Sequence, residues 1–277
     1  MIRALEKYYE KCGISALGFK CKHYEECRSE CEDKSKFTKA REPYIGEKYG
    51  KKGIPKLLFL SLDSGDEKKN PKIKTIQALR EGNLNLKPKE IPRGRHWYKT
   101  HQFAWVIFDE LNQRTELGCD FGNTNSKLFF EPATEIYKIM PFLSHTNSAK
   151  CCMNNAHAKQ ANKRLFANCR GYILEEIKIF NPHILVTQGN FARIAIEEAV
   201  KNKKFSVIKT KNISKANPNK PDFITIEIKG DKPALWIHHY HPNNYGTFFK
   251  KIYNKYRVYA KEAAQFIVKN YPELTRP

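Results

Sequence analysis

The stretch KLLFLSLDSGD, residues 56–66, constrains this chain more than any other. Leu57–Leu62 read as a strand apolar on both faces, which breaks at once into Asp63, Ser64, Gly65 and Asp66. Such a strand needs a layer of structure on each side. The rest of the sequence offers those layers. Apolar residues at helical spacing (Phe103, Val106, Ile107, Leu111) mark a helix in 101–113, and a short strand with a polar end follows in 141–152. Leu165, Cys169, Tyr172, Ile173, Ile177 and Phe180 share one helical face. NPHILVTQGN (181–190) is a Pro-introduced strand ending at Gly189, followed by the helix FARIAIEEAV. FSVIKT and DFITIEI alternate as strands, ALWIHHYHPNN is another strand with a polar end, and a long amphipathic helix closes the pattern. Strands alternating with helices predict an α/β sandwich with a mostly parallel sheet in a single domain over 1–277. Residues 66–95, with Pro71, Pro88 and Pro92, read as connecting loop, and residues 1–50 as a charged, cysteine-rich segment with one short helix.

Composition narrows the partners. Across 277 residues, 40% are apolar and 12% aromatic, enough for a sizeable core. Against 29 Asp and Glu stand 50 Lys and Arg, a formal charge of +21. A Lys-rich solvated surface is the plain account of a basic protein, but an excess this large favours nucleic acid, with binding that weakens as salt rises. No basic amphipathic helix or spanning apolar run points to a membrane. The opening MIRALEKYYEKCG lacks a secretory signal, so a cytoplasmic location is expected. Eight cysteines in that compartment point to metal or redox chemistry rather than disulfides.

In open α/β sheets, ligands bind beyond the carboxyl ends of the strands. Three strands here end in reactive chemistry: Asp63-Ser64-Gly65, His145-Thr146-Asn147, and His239-Tyr240-His241-Pro242-Asn243. Each alone reads as a turn or cap. Together they bring an acid, an amide and an imidazole to one cleft. Cys12, Cys21, Cys27 and Cys31 crowd the amino terminus, and Cys151, Cys152 and Cys169 flank the loop after the second polar strand end. Four thiols suit zinc or a [4Fe–4S] cluster equally by spacing, and buried thiols alone are the plainer reading.

HTNSAKCC, the helix carrying Cys169, EEIKIFNPHILVTQGNFA and YHPN together resemble the uracil-DNA glycosylase superfamily, closest to its iron–sulfur branch, family 4. The order and spacing hold over residues 56–245. The first motif departs from that branch. Where family 4 has G-E-x-P-G, this chain has Ser61-Leu62-Asp63-Ser64-Gly65, with Asp at the third position as in the G-Q-D-P-Y motif of family 1. The resemblance implies a three-layer αβα sandwich around a four-stranded, mostly parallel sheet, and a monomer acting on uracil-containing or modified DNA, duplex or single-stranded. It also implies a [4Fe–4S] cluster, with zinc as the alternative, held by Cys27, Cys31, Cys152 and Cys169. Cys12, Cys21 and Cys151 stand as substitutes.

The implied chemistry is hydrolysis of an N-glycosidic bond, leaving an abasic site. Asp63 would orient water and stabilise a cationic sugar, and His241 would donate to the departing base. Asn147 would read the pyrimidine edge. Trp97 would stack on the flipped base, while Phe103 suits core packing. Gly65 stands where family 1 carries a Tyr that crowds the pyrimidine C5, so thymine or a bulkier 5-modified pyrimidine would fit as well as uracil. Ser64, Lys150, Asn243 and Tyr245 are expected to touch DNA, with Arg95 and the basic 201–220 stretch as further phosphate contacts. Repair and defence against modified phage DNA are both compatible roles. The alternative from another class is a non-catalytic nucleic-acid-binding protein with a structural Cys₄ metal site. A two-metal nuclease is disfavoured, because Asp63 and Asp66 lack further carboxylates.

Overall fold

The computed structural model describes residues 1–62, 74–84, 96–112, 136–153, 162–211, 223–228, 232–239 and 249–274. Its strands are β1 (Tyr44–Ile45), β2 (Leu57–Ser61), β3 (Leu143–Asn147), β4 (Ile184–Gln188), β5 (Ser206–Lys211), β6 (Phe223–Glu227) and β7 (Pro233–His239). The helices are α1 (Ile2–Cys12), α2 (Tyr24–Ser29), α3 (Ile76–Leu84), α4 (His96–Asn112), α5 (Lys163–Phe180), α6 (Asn190–Lys201) and α7 (Phe249–Asn270).

Among the described residues the strands form one seven-stranded sheet in the order β1-β3-β2-β4-β7-β6-β5. The expected four-stranded, mostly parallel sheet is therefore corrected to a larger, mixed one. Its centre is parallel, since β2 pairs in parallel with β3 and β4, and β4 with β7. Antiparallel strands extend both sides: β1 on β3, and the β6–β5 ribbon on β7.

Leu57, Leu58, Phe59 and Leu60 are all fully buried. Leu57 and Phe59 join the core beneath α4 and α7, and Leu58 and Leu60 join the one beneath α1, α5 and α6. Strand alternation thus feeds two cores, one on each face. Truncating either pair to Ala would cost about 2–5 kcal/mol per site. Phe103 sits in the first of these cores, edge-on to Phe59 and Tyr259, which is the packing role expected of it.

Residues 76–84, read from sequence as loop, form α3. The Thr75 hydroxyl accepts from the Ala78 amide at 3.1 Å, and the buried Glu42 carboxylate accepts from the Ile76 amide at 2.9 Å. Two acceptors at the amino end stabilise a helix whose own sequence, with Gly82, has modest propensity. Glu42 also accepts from the Ala16 amide at 2.9 Å, which fastens the amino-terminal segment to the same point. That segment then runs beside the end of β3, where the Thr38 amide donates to the Cys152 carbonyl at 2.9 Å and the Arg41 amide to that of Lys150 at 2.8 Å.

Helix α5 starts at Asn162, whose side chain accepts from the Leu165 amide, and stops at Asn181 in the left-handed region at φ 44°. Pro182 then turns the chain into β4. Gly189, at φ 97°, makes the turn from β4 to α6, and a Cβ there would sit 3.1 Å from the Leu62 side chain. Glycine is required there by both conformation and space.

Candidate active site and cysteine pocket

The carboxyl ends of the four parallel strands lie at one edge of the sheet. Ser61 is opposite Asn147, Leu60 opposite Thr187, and Gln188 opposite His239. Asn147 is 5% exposed, and among the described residues no side chain hydrogen-bonds its amide. Its place is fixed by the next residue, since both the amide and the hydroxyl of Ser148 donate to the Ser61 carbonyl at 2.7 Å. The chain reaches Asp63 two residues after Ser61 and His241 two residues after His239. Asp63, Ser64, Gly65, Arg95, His241, Asn243 and Tyr245 lie outside the described residues, as does the side chain of Trp97 in the first turn of α4.

A polar chain that sequence reasoning missed runs beneath this edge. The Ser61 hydroxyl meets His145 Nε2 at 2.8 Å and donates to Gln188 Oε1 at 2.9 Å, and the Thr100 hydroxyl donates to the same oxygen at 2.9 Å. With its proton spent on Gln188, the Ser61 oxygen accepts from His145, which sets the Nε2–H tautomer. Gln188 is 1% exposed, and its Nε2 has no hydrogen-bond partner among the described residues. The available signal was polar residues, Ser61 and Gln188, ending strands that are otherwise apolar.

Lys150, expected to contact phosphate, is only 3% exposed. Its ammonium donates to both Glu176 oxygens at 2.7 Å and to the Thr146 hydroxyl at 3.0 Å. The Tyr9 hydroxyl donates to Glu176 as well. Burial, reinforced by the Glu176 charge, holds the Tyr9 phenol well above its usual range. Lys150 is thus corrected from a surface cation to the internal partner of a carboxylate on α5. Breaking out to reach a phosphate would leave Glu176 buried and uncompensated.

The cysteines resolve into two groups. Cys21, Cys27, Cys151 and Cys169 line one small pocket beside Lys150. All the described cysteines are thiols rather than disulfides. Cys31 is turned away, donating to the Met153 carbonyl at 2.9 Å and to that of Asp33 at 3.2 Å. Of the adjacent pair at 151–152, it is Cys151 that faces the pocket. Of the four ligands expected from sequence, Cys27 and Cys169 line this pocket together with Cys21 and Cys151, while Cys31 and Cys152 do not.

Among the described residues, no group of three or more His, Cys, Asp or Glu is placed to hold a metal ion. N–H donors are directed at two of the four sulfurs. The Lys150 amide points at Cys169 Sγ at 3.4 Å, and Asn168 Nδ2 at Cys27 Sγ at 3.3 Å. The Tyr172 hydroxyl lies 3.8 Å from Cys21 Sγ. Burial, then Cys169, Cys21 and Cys27, push Cys151 well above the usual thiol value. Burial pushes Cys169 up to about 12, against the pull of the Lys150 amide. Burial and crowding thus make these thiols resist ionising, while N–H groups reach two of the sulfurs.

No protein-family model matches this chain, and no curated protein matches its sequence.

Proposed function

We propose that the protein is a monofunctional DNA glycosylase. It hydrolyses the N-glycosidic bond of a flipped-out pyrimidine, uracil or a 5-modified base, and leaves an abasic site. The observation that carries this reading is the buried Asn147, opposite Ser61 at the carboxyl edge of the parallel strands, whose side-chain amide has no hydrogen-bond partner among the described residues. An amide held there without a partner among the described residues is suited to pairing with the edge of a base. β2, beside β3, and β7, two strands beyond β2, lead by two residues into Asp63 and His241, the acid and the donor that the reaction needs. Asp63 would hold the attacking water and stabilise the sugar cation, and His241 would donate to the departing base. The +21 charge supplies the attraction for DNA.

Cys21, Cys27, Cys151 and Cys169 would hold a [4Fe–4S] cluster. When bound, such a group supplies a cross-link between the amino-terminal segment, the loop after β3 and α5.

A panel of duplexes carrying uracil, thymine mismatches, hypoxanthine or 5-modified cytosines, followed by alkali, tests the reading. At least one duplex should be cleaved, and Asp63→Ala should abolish cleavage while binding persists. Salt-sensitive binding with no abasic product from any duplex would instead favour a non-catalytic nucleic-acid-binding protein. Anaerobically purified protein should absorb near about 400 nm. That band should vanish in Cys151→Ser and Cys169→Ser and persist in Cys31→Ser and Cys152→Ser. The reverse pattern would restore the ligand set expected from sequence.

A further inference from the structure

Residues 201–211, KNKKFSVIKTK, hold five lysines and no acid. All five are exposed, while Phe205, 1% exposed, anchors the segment to the core. The strand β5 is exposed at all six positions and, among the described residues, pairs only with β6, with an irregularity between Val207 and Lys209. A lysine or two on an edge strand is a common guard against pairing with other chains. This ribbon has more than that. It and α7 enclose a groove of about 950 Å³ of empty space, whose charged walls are Lys209, Lys211, Lys269 and Glu262, three cations against one anion. Lys211 offsets Glu262 at 2.5 Å, which leaves Lys209 and Lys269 without an ion-pair partner among the described residues.

The register places this charge relative to the candidate active site. Lys211 is opposite Phe223, and Phe223 is opposite Ile237, two residues before His239. The Lys211 end of the groove therefore lies at the same end of the sheet as Asn147 and Ser61, while Pro233 and Lys269 line its other end. From β2 to β5 there are four strand steps, through β4, β7 and β6. At about 4.8 Å each they span roughly 19 Å. A duplex rises about 3.4 Å per base pair, so this distance covers about five or six base pairs.

We propose that the cleft end of the β5 ribbon, with Lys209 and Lys211, is a second DNA contact that grips phosphates about five or six base pairs to one side of the extruded nucleotide. The inference rests on the glycosylase reading, and it adds a direction: the protein engages one arm of the duplex more than the other. Lys203 and Lys204 precede β5 at the opposite end of the sheet, where Ser206 faces Glu227, so they lie off this track. They provide a control of equal charge.

The test compares wild type, Lys209→Glu with Lys211→Glu, and Lys203→Glu with Lys204→Glu. The substrates are duplexes in which one arm or the other is cut back to about three base pairs. Wild type should lose affinity when one particular arm is shortened and not when the other is. The Lys209/Lys211 variant should be indifferent to both arms. Its plot of log Kd against log salt should be shallower by about two. The Lys203/Lys204 variant should keep the arm preference. Equal losses in both variants, or no arm preference in wild type, would overturn the proposal. So would a concentration-dependent doubling of mass that the Lys209/Lys211 variant abolishes, because the ribbon would then be a contact between copies. Base release without arm preference sinks this inference alone; arm preference without base release from any duplex sinks the glycosylase reading alone.

Discussion

Two lysine–glutamate pairs lie in opposite parts of the molecule. Lys150 and Glu176 meet at 2.7 Å with side chains 3% and 0% exposed, between the sheet and α5. Lys211 and Glu262 meet at 2.5 Å with side chains 52% and 23% exposed, between the ribbon and α7. The distances are alike and the consequences are not. The first pair has lost its water, and Thr146 and Tyr9 supply the remaining hydrogen bonds. It fixes how α5, and with it Cys169, sits against the end of β3. The second remains hydrated, and its lysine can exchange a carboxylate for a phosphate at little cost. Net charge counts both lysines equally, but only the solvated one is available to a polyanion.

The contrast can be broken most sharply from inside. Glu176→Ala should cost about 3–5 kcal/mol, read as a large fall in the urea midpoint, because it strands the Lys150 ammonium among apolar groups. Replacing both members, Lys150→Met with Glu176→Leu, should recover much of that loss. If Glu176→Ala is as mild as a surface change, the pair is not the desolvated one described. Protons probe the same interior. Burial lowers His101 to about 3 and His183 to about 4, and His183 Nδ1 accepts from the Lys56 amide at 3.1 Å. Both folded values lie below the unfolded value of about 6.5. Their contribution is therefore complete above that pH and is lost as pH falls from about 6.5 towards 4, by about 1.4 kcal/mol per unit for each ring. Denaturant midpoints across that window should fall less steeply in His183→Asn. At the small end, Glu262→Ala should change stability by no more than about 1 kcal/mol, and that change should shrink further in salt.

The same contrast explains what could be read from the sequence. Leu57–Leu62 announced a doubly covered strand because each residue's own chemistry sets its burial. Phe103 and the face of α5 were legible by period. The burial of Lys150 was not, because its partner is 26 residues away on another element, and a lysine next to a cysteine looks like surface until that partner is placed. Cys151 and Cys152 are neighbours, and spacing gives no means of choosing which one faces the pocket. Helix α3 escaped because its start depends on Glu42, 34 residues upstream of Ile76. The sheet was undercounted for a different reason. β5 and β6 were recognised as strands, but a resemblance limited to the parallel centre carries no information about antiparallel edges. Ser61 and Gln188 were passed over because a single polar residue ending an apolar run reads as a boundary, and only the register joins them across β2 and β4.

The long reach of the amino-terminal contacts has a consequence for biosynthesis. Tyr9 meets Glu176 167 residues later, Cys31 donates to Met153 122 residues later, and Cys27 receives Asn168 from 141 residues downstream. At about 5–20 residues per second, translation separates Cys27 from α5 by roughly 7–30 s. For that interval the first half of the cysteine pocket is made but has nothing to close against. The nascent thiols wait outside any folded structure, and the rate at which the ribosome delivers α5 sets how long they remain open to oxidation or to premature capture of metal.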